Sequence, residues 1–92
     1  MLSMPAVDIE IINKLGLHAR AASKLVSVTS KFSCDITIAK GDKVVDAKSI
    51  MSVMMLAANK GTSLIINTQG EDQSQALEAI TLLINNRFDE EE

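Results

Sequence analysis

An α+β fold in two layers, with helices packed on one face of a four-stranded sheet, is predicted by three observations on this 92-residue sequence. Apolar residues alternate with polar ones in short runs, as in strands with one buried face. Longer runs carry helical spacing or a concentration of good helix formers. The runs follow one another in the order β-α-β-β-α-β-α, and laying three helices on one face of a single sheet is the economical way to bury their apolar sides.

The first strand is read from Val7, Ile9 and Ile11, which alternate with Asp8 and Glu10. The period changes beyond Leu17. Ala22, Leu25, Val26 and Thr29, with Phe32 three residues on, define an amphipathic helix that begins just after His18. Cys34, Ile36 and Ile38 alternate with Asp35 and Thr37 as a second strand, and Gly41-Asp42 is a two-residue loop that closes a hairpin onto Val44-Val45. Ser49 is the expected N-cap of a second helix running from Ile50 through Ala58, with Gly61 as its stop. Leu64 to Thr68 read as a fourth strand, apolar enough to be central. Glu71 and Asp72 open the last helix, whose stripe is Ala76, Leu77, Ile80, Leu83 and Ile84, and they complement the dipole in its first turn.

The length implies one domain over residues 1–92. Hydrophobic residues make up 47% of the chain, with Phe32 and Phe88 its only aromatics, so the core is expected to be aliphatic. Without Trp or Tyr there are no stacking platforms for exposed bases, which argues against a nucleic-acid partner. Residues 89–92 (Asp89, Glu90, Glu91, Glu92) supply four of the twelve acidic groups, and taking those four charges from the net −3 leaves +1. This segment is expected to be a frayed, solvated tail with no site. Cys34 has no disulfide partner, and one Cys with one His is too few for zinc, so neither a metal nor a cofactor is expected. Its phase with Ile36 makes it a small inward hydrophobe rather than a nucleophile. No run reaches the length of a membrane span and no signal-peptide pattern is visible, so a cytoplasmic protein is expected, and it is taken to be a monomer.

Chemistry points to the junction Leu15-Gly16-Leu17-His18-Ala19-Arg20, where the strand pattern gives way to the helix. A helix start presents unpaired N–H groups and the positive end of the dipole, so an anion on the His18 imidazole would be stabilised by the backbone of Ala19 and Arg20. The Arg20 guanidinium adds planar donors suited to phosphate oxygens. From Ile11 to Ser33 the chain carries Lys14, Arg20, Lys24 and Lys31 and no acid. That cluster is either a solvated face or a means of docking acidic partners and holding phosphate. A histidine here can also be an ordinary cap; with Arg20 two residues on, a phosphoryl acceptor is the sharper reading.

Two stretches, Asn13-Lys14-Leu15-Gly16-Leu17-His18-Ala19-Arg20 and Ala47-Lys48-Ser49-Ile50-Met51-Ser52-Val53-Met54-Met55-Leu56, resemble the histidine phosphocarriers HPr and NPr. These belong to the bacterial phosphoenolpyruvate-dependent phosphotransferase system, and the likeness spans nearly the whole chain. It implies an HPr-like open-faced sandwich with antiparallel strands in the order 1-4-2-3. It also implies that His18, through Nδ1, accepts a phosphoryl group from phosphorylated Enzyme I and passes it to an Enzyme IIA protein. The protein is then a carrier, consumed and regenerated, not an enzyme. In some members the serine matching Ser49 is phosphorylated by an ATP-dependent HPr kinase/phosphorylase. The chain departs from the common pattern at Ala21, where many relatives have proline, which touches fine tuning and not the role of His18.

Further residues have two readings each. Gly16 either permits positive φ or close backbone approach by a partner, or merely ends the strand. Leu15 and Leu17 form an exposed contact collar or a partial core plug. Ser49 caps a helix and is a candidate regulatory site. Met51, Met54 and Met55 sit at spacing that suits core or docking. Leu15, Leu17, Lys24, Ile50, Met51 and Met54 are taken as the docking set. The nitrogen branch and a non-catalytic ligand- or protein-binding module stand as alternatives, the latter disfavoured because such a module has no need of His18 and Arg20 at this offset.

Overall fold

The computed structural model describes residues 6–92; the expected single domain also takes in residues 1–5, which lie outside the described residues. Strands β1 (Ala6–Glu10), β2 (Asp35–Lys40), β3 (Lys43–Asp46) and β4 (Ser63–Gln69) form one sheet in the order β1-β4-β2-β3, every neighbouring pair antiparallel. Helices α1 (Ala19–Thr29), α2 (Ile50–Met54) and α3 (Gln73–Asn85) cover one face. Alternation explains the layering. Leu64, Ile66 and Thr68 of β4 are buried beneath the helices while Ser63 and Ile65 face outward, and Ile36 and Ile38 of β2 repeat the pattern. Register aligns these inward residues, with Ile38 opposite Ile66 and Ile9 opposite Leu64. Each such side chain, fully buried, contributes about 1.5–3 kcal/mol.

Three elements differ from the sequence expectation. Helix α2 ends at Met54 rather than near Ala58, because Leu56 and Ala57 donate to the carbonyls of Val53 and Met54 in tightened turns and Ala57 takes φ +51. Lys43 Nζ donates to Met55 O and Lys40 Nζ to Leu56 O, so the β2–β3 hairpin satisfies the carbonyls that a longer helix would have used. Helix α3 begins at Gln73, with neither Glu71 nor Asp72 in its first turn. The Asp72 carboxylate instead accepts from the N–H groups of Ser33 and Cys34, 2.9 and 3.0 Å away, and these donors, led by Ser33, hold its pKa below the usual range.

The third difference is the acidic end. Residues 89–92 are not a frayed tail: Arg87–Asp89 form a single 3₁₀ turn, Phe88 is fully buried, and Glu90 packs against His18. Lys14 N–H also donates to Glu92 O at 2.9 Å. Arg87, Phe88 and Asp89 all have φ between +53 and +64, a left-handed turn that only a strong anchor can hold. The Phe88 ring is that anchor.

Candidate functional site

His18 is the N-cap of α1, with extended backbone (φ −77, ψ 179) and its carbonyl accepting from Ala22 N–H at 2.8 Å. The loop before it is held from below. Gly16 lies at φ +69, and a Cβ there would stand 2.6 Å from Ala58 O and 2.9 Å from Asn59 Cα, so the close backbone approach is made by this chain itself. The next residue seals the contact, Leu17 N–H donating to Ala58 O at 2.8 Å. Leu17 itself is core, only 6% exposed, so its place in the docking set is corrected: the loop turns it inward as a plug. Leu15 points outward and is 64% exposed.

Both ring nitrogens of His18 are engaged. Nδ1 accepts from the Arg20 backbone N–H at 3.3 Å, and Nε2 meets Glu90 Oε2 at 2.5 Å. Glu90 Oε1 accepts from Asn13 Nδ2 at 3.0 Å, and the same Nδ2 donates to Gly16 O at 2.7 Å. Asn13 is fully buried and its Oδ1 has no partner, which costs about 1–3 kcal/mol and persists because the two acceptors dictate which end of the amide faces them. Burial works against the charge on Glu90, but hydrogen bonds from Asn13 and His18 and the nearby positive charge of Arg20 outweigh it and hold the carboxyl below its ordinary pKa. The His18 side chain keeps 24% of its surface exposed and Glu90 11%. His18 is thus partly covered by the chain's own end.

The Arg20 side chain is exposed and makes no ion pair among the described residues, which leaves its guanidinium available to an incoming anion. Ala19 is exposed at the first helical position, and Ala21, where relatives often carry proline, is fully buried. Lys24 Nζ donates to Phe88 O at 2.8 Å, so this half-buried lysine clamps the C-terminal turn. A cleft of about 470 Å³ opens here between Lys14, Leu15, Arg20 and Lys24 on one side and Asp89 to Glu92 on the other.

Ser49 Oγ caps α2, accepting from Ser52 N–H at 3.3 Å. Beyond it Ile50, Met51, Met54 and Met55 are exposed, Met51 to 71%, while Val53 and Leu56 turn into the core. The methionines therefore take the surface reading. Cys34 is buried, and desolvation, with the hydrogen bond to Asp72 and its charge, pushes the thiol upward, so it is an inert packing group. Sequence reasoning missed Asn13 and Glu90. Asn13 continues the inward phase of Ile9 and Ile11, a polar residue at a buried position, and that was its signal. Glu90 had only the neighbouring Phe88 to suggest an anchored segment.

Comparison with known proteins extends the picture. Residues 6–86 match the family described as PTS HPr component phosphorylation site. The phosphocarrier protein HPr of Pseudomonas aeruginosa is 57% identical over 97% of this chain and 100% of its own length. A phosphocarrier protein NPr of Shewanella violacea is 43% identical over 90% of this chain and 91% of its own. The crystal structure of HPr-C-His from Thermoanaerobacter tengcongensis superposes with a TM-score of 0.93 at 44% identity, covering 97% of this chain and all of that one. Fold and family together define the class: a small phosphocarrier of the phosphotransferase system, not itself an enzyme. The chain belongs to the HPr family, whose members are cytoplasmic proteins that work with Enzyme I and Enzyme IIA components. Membership removes the non-catalytic binding module from consideration.

Proposed function

We propose that Nδ1 of His18 is the atom that receives the phosphoryl group from phosphorylated Enzyme I and yields it to an Enzyme IIA protein. The observation that carries this reading is the bond from Arg20 N–H to Nδ1 at the start of an eleven-residue helix, which aims the Nδ1 lone pair at the positive end of the dipole. As the lone pair closes on phosphorus, the bond to the Enzyme I donor atom breaks and its electrons stay with Enzyme I. The Arg20 N–H then loses Nδ1 as acceptor and turns to a phosphoryl oxygen, with Ala19 N–H beside it and the Arg20 guanidinium spreading the charge. Nothing in this set holds the group covalently beyond the single N–P bond, which suits a carrier that must give it up.

Leu15, Ile50, Met51 and Met54 form the apolar part of the docking surface, and Lys14 and Arg20 supply its positive charge. Lys24 acts from beneath by holding Phe88 O. Ser49 is a cap that also serves as a regulatory acceptor for an HPr kinase/phosphorylase; the phosphate would sit where a helix start favours it and an acidic partner does not. The higher identity to HPr than to NPr supports sugar-branch transfer over the nitrogen branch. Incubation with Enzyme I and phosphoenolpyruvate, followed by intact-mass spectrometry, tests the acceptor. Wild type gains one acid-labile phosphate and His18→Ala gains none; acid-labile phosphate on His18→Ala refutes the assignment.

A further inference from the structure

We propose that Glu90 is a positioning residue for the phosphoryl acceptor, holding the proton of His18 on Nε2 so that the Nδ1 lone pair is free for attack. The inference deepens the assignment of His18 as acceptor and rests on it. Its basis is the directionality of four hydrogen-bonding groups. Arg20 N–H can only donate, so the Nδ1 it faces must be the bare nitrogen. An ionised carboxylate can only accept, so the Nε2 it faces must carry the proton. Asn13 completes the chain. Its Nδ2 is pinned between Gly16 O and Glu90 Oε1, and rotating the amide would set Asn13 Oδ1 against both acceptors.

Attack on phosphorus leaves a positive charge on the ring, and the proton that carries it stays on Nε2 beside Glu90 Oε2. No proton leaves the site in the forward step, and the electron pair returns to Nδ1 when an Enzyme IIA protein takes the phosphoryl group. The carboxylate therefore favours the charged phosphoimidazole over the neutral starting ring, which is a contribution to rate. Its place on the far side of the ring, away from Nδ1, leaves the path of the incoming phosphorus open.

The pinned amide makes a distinctive variant possible. In Glu90→Gln, Asn13 Nδ2 still requires an oxygen opposite it, so the new NH₂ faces His18 Nε2 and donates to it. This donor at Nε2 now opposes the Arg20 N–H at Nδ1 and draws the imidazole proton toward Nδ1, the nitrogen that must attack. In hydrolytic triads the comparable exchange of carboxylate for amide lowers turnover by up to about 10⁴-fold for this reason. Glu90→Ala merely removes the partner and lets water take its place. The order of effects is thus the reverse of what size or structural disturbance would give.

The test measures two things on wild type, Glu90→Ala and Glu90→Gln. The first is long-range ¹H–¹⁵N NMR of the His18 ring at a pH where it is neutral; the second is the single-turnover rate of phosphoryl acceptance from phosphorylated Enzyme I. Wild type should show a protonated Nε2 and a bare Nδ1, Glu90→Ala a weaker preference of the same sense because the Arg20 N–H still faces Nδ1, and Glu90→Gln a shift toward protonated Nδ1. Acceptance should fall about 10-fold in Glu90→Ala and about 100-fold or more in Glu90→Gln. Glu90→Gln rates equal to or above those of Glu90→Ala, or identical ring spectra in all three proteins, would overturn the proposal. Failure of the acceptor assignment is a separate result, an absence of acid-labile phosphate on the wild-type protein.

Discussion

Replacing Phe88 by alanine should both destabilise the fold and uncover the histidine. The left-handed turn at Arg87, Phe88 and Asp89 costs about 1–2 kcal/mol for each residue, roughly 3–6 kcal/mol in all. Burying the Phe88 side chain returns only about 1.5–3 kcal/mol. The remainder falls to the hydrogen bonds that ring permits: Lys24 Nζ to Phe88 O at 2.8 Å, Asn86 Nδ2 to Asp89 Oδ1 at 2.8 Å, and Glu90 to His18 and Asn13. Each is worth about 0.5–3 kcal/mol according to charge, so burial and hydrogen bonds together offset the cost of the turn. A Phe→Ala change in a closed core costs about 3–5 kcal/mol. For a chain of this size that lowers Tm by at least about 12 °C, and Phe88→Leu should recover most of it. Differential scanning calorimetry reads the first effect, and amide exchange at residues 87–92 together with the His18 ring signals reads the second. A fall of less than about 5 °C, or unchanged His18 signals despite a fast-exchanging end, would refute the anchoring role of Phe88.

Gly16→Ala should lower stability by about 1–3 kcal/mol, from positive φ and from the 2.6 Å approach to Ala58 O, and should shift the Leu17 and Ala58 amide resonances more than those of α3. Ser49→Ala should cost about 1 kcal/mol by loss of the α2 cap, whereas Ser49→Asp should keep Tm within a few degrees of wild type and weaken Enzyme I binding; calorimetry of both variants separates capping from docking. The Glu90 carboxyl, whose pKa is depressed in the folded protein, contributes stability that is complete above the ordinary glutamate range near pH 4.3 and is lost as pH falls through its lower native value. Glu90→Gln should therefore flatten the acid limb of the stability curve below about pH 4, and urea titrations between pH 2 and 6 would expose an unchanged limb.

Periodicity made most of the fold legible. Ile9, Ile36, Ile38, Leu64 and Ile66 announce an inward sheet face by alternation alone, and Ala22, Leu25 and Thr29 announce the buried side of α1. The place of His18 and Arg20 at the head of α1 was legible because a lone histidine falls at the change of period with arginine two residues on. Where the expectation departed from the structure, a tertiary contact overrode a local signal. The run from Ile50 to Ala58 favours helix throughout, but Lys40 and Lys43 hold its carbonyls in a turn. Leu17 and Leu15 are alike in sequence, and only the hydrogen bond from Leu17 N–H to Ala58 O decides which faces inward. Four consecutive acids normally fray, and no local pattern reveals that Phe88 fixes the chain just before them.

The central claim is that Nδ1 of His18, at the head of α1, carries the phosphoryl group. The most direct measurement is ³¹P and ¹⁵N NMR of the ¹⁵N-labelled protein after phosphorylation by Enzyme I. The N–P coupling should fall on His18 Nδ1, Nε2 should remain protonated, and the Arg20 amide should show the largest backbone shift as it passes from Nδ1 to a phosphoryl oxygen. Coupling to Nε2, or an Arg20 amide that does not move, would contradict the account.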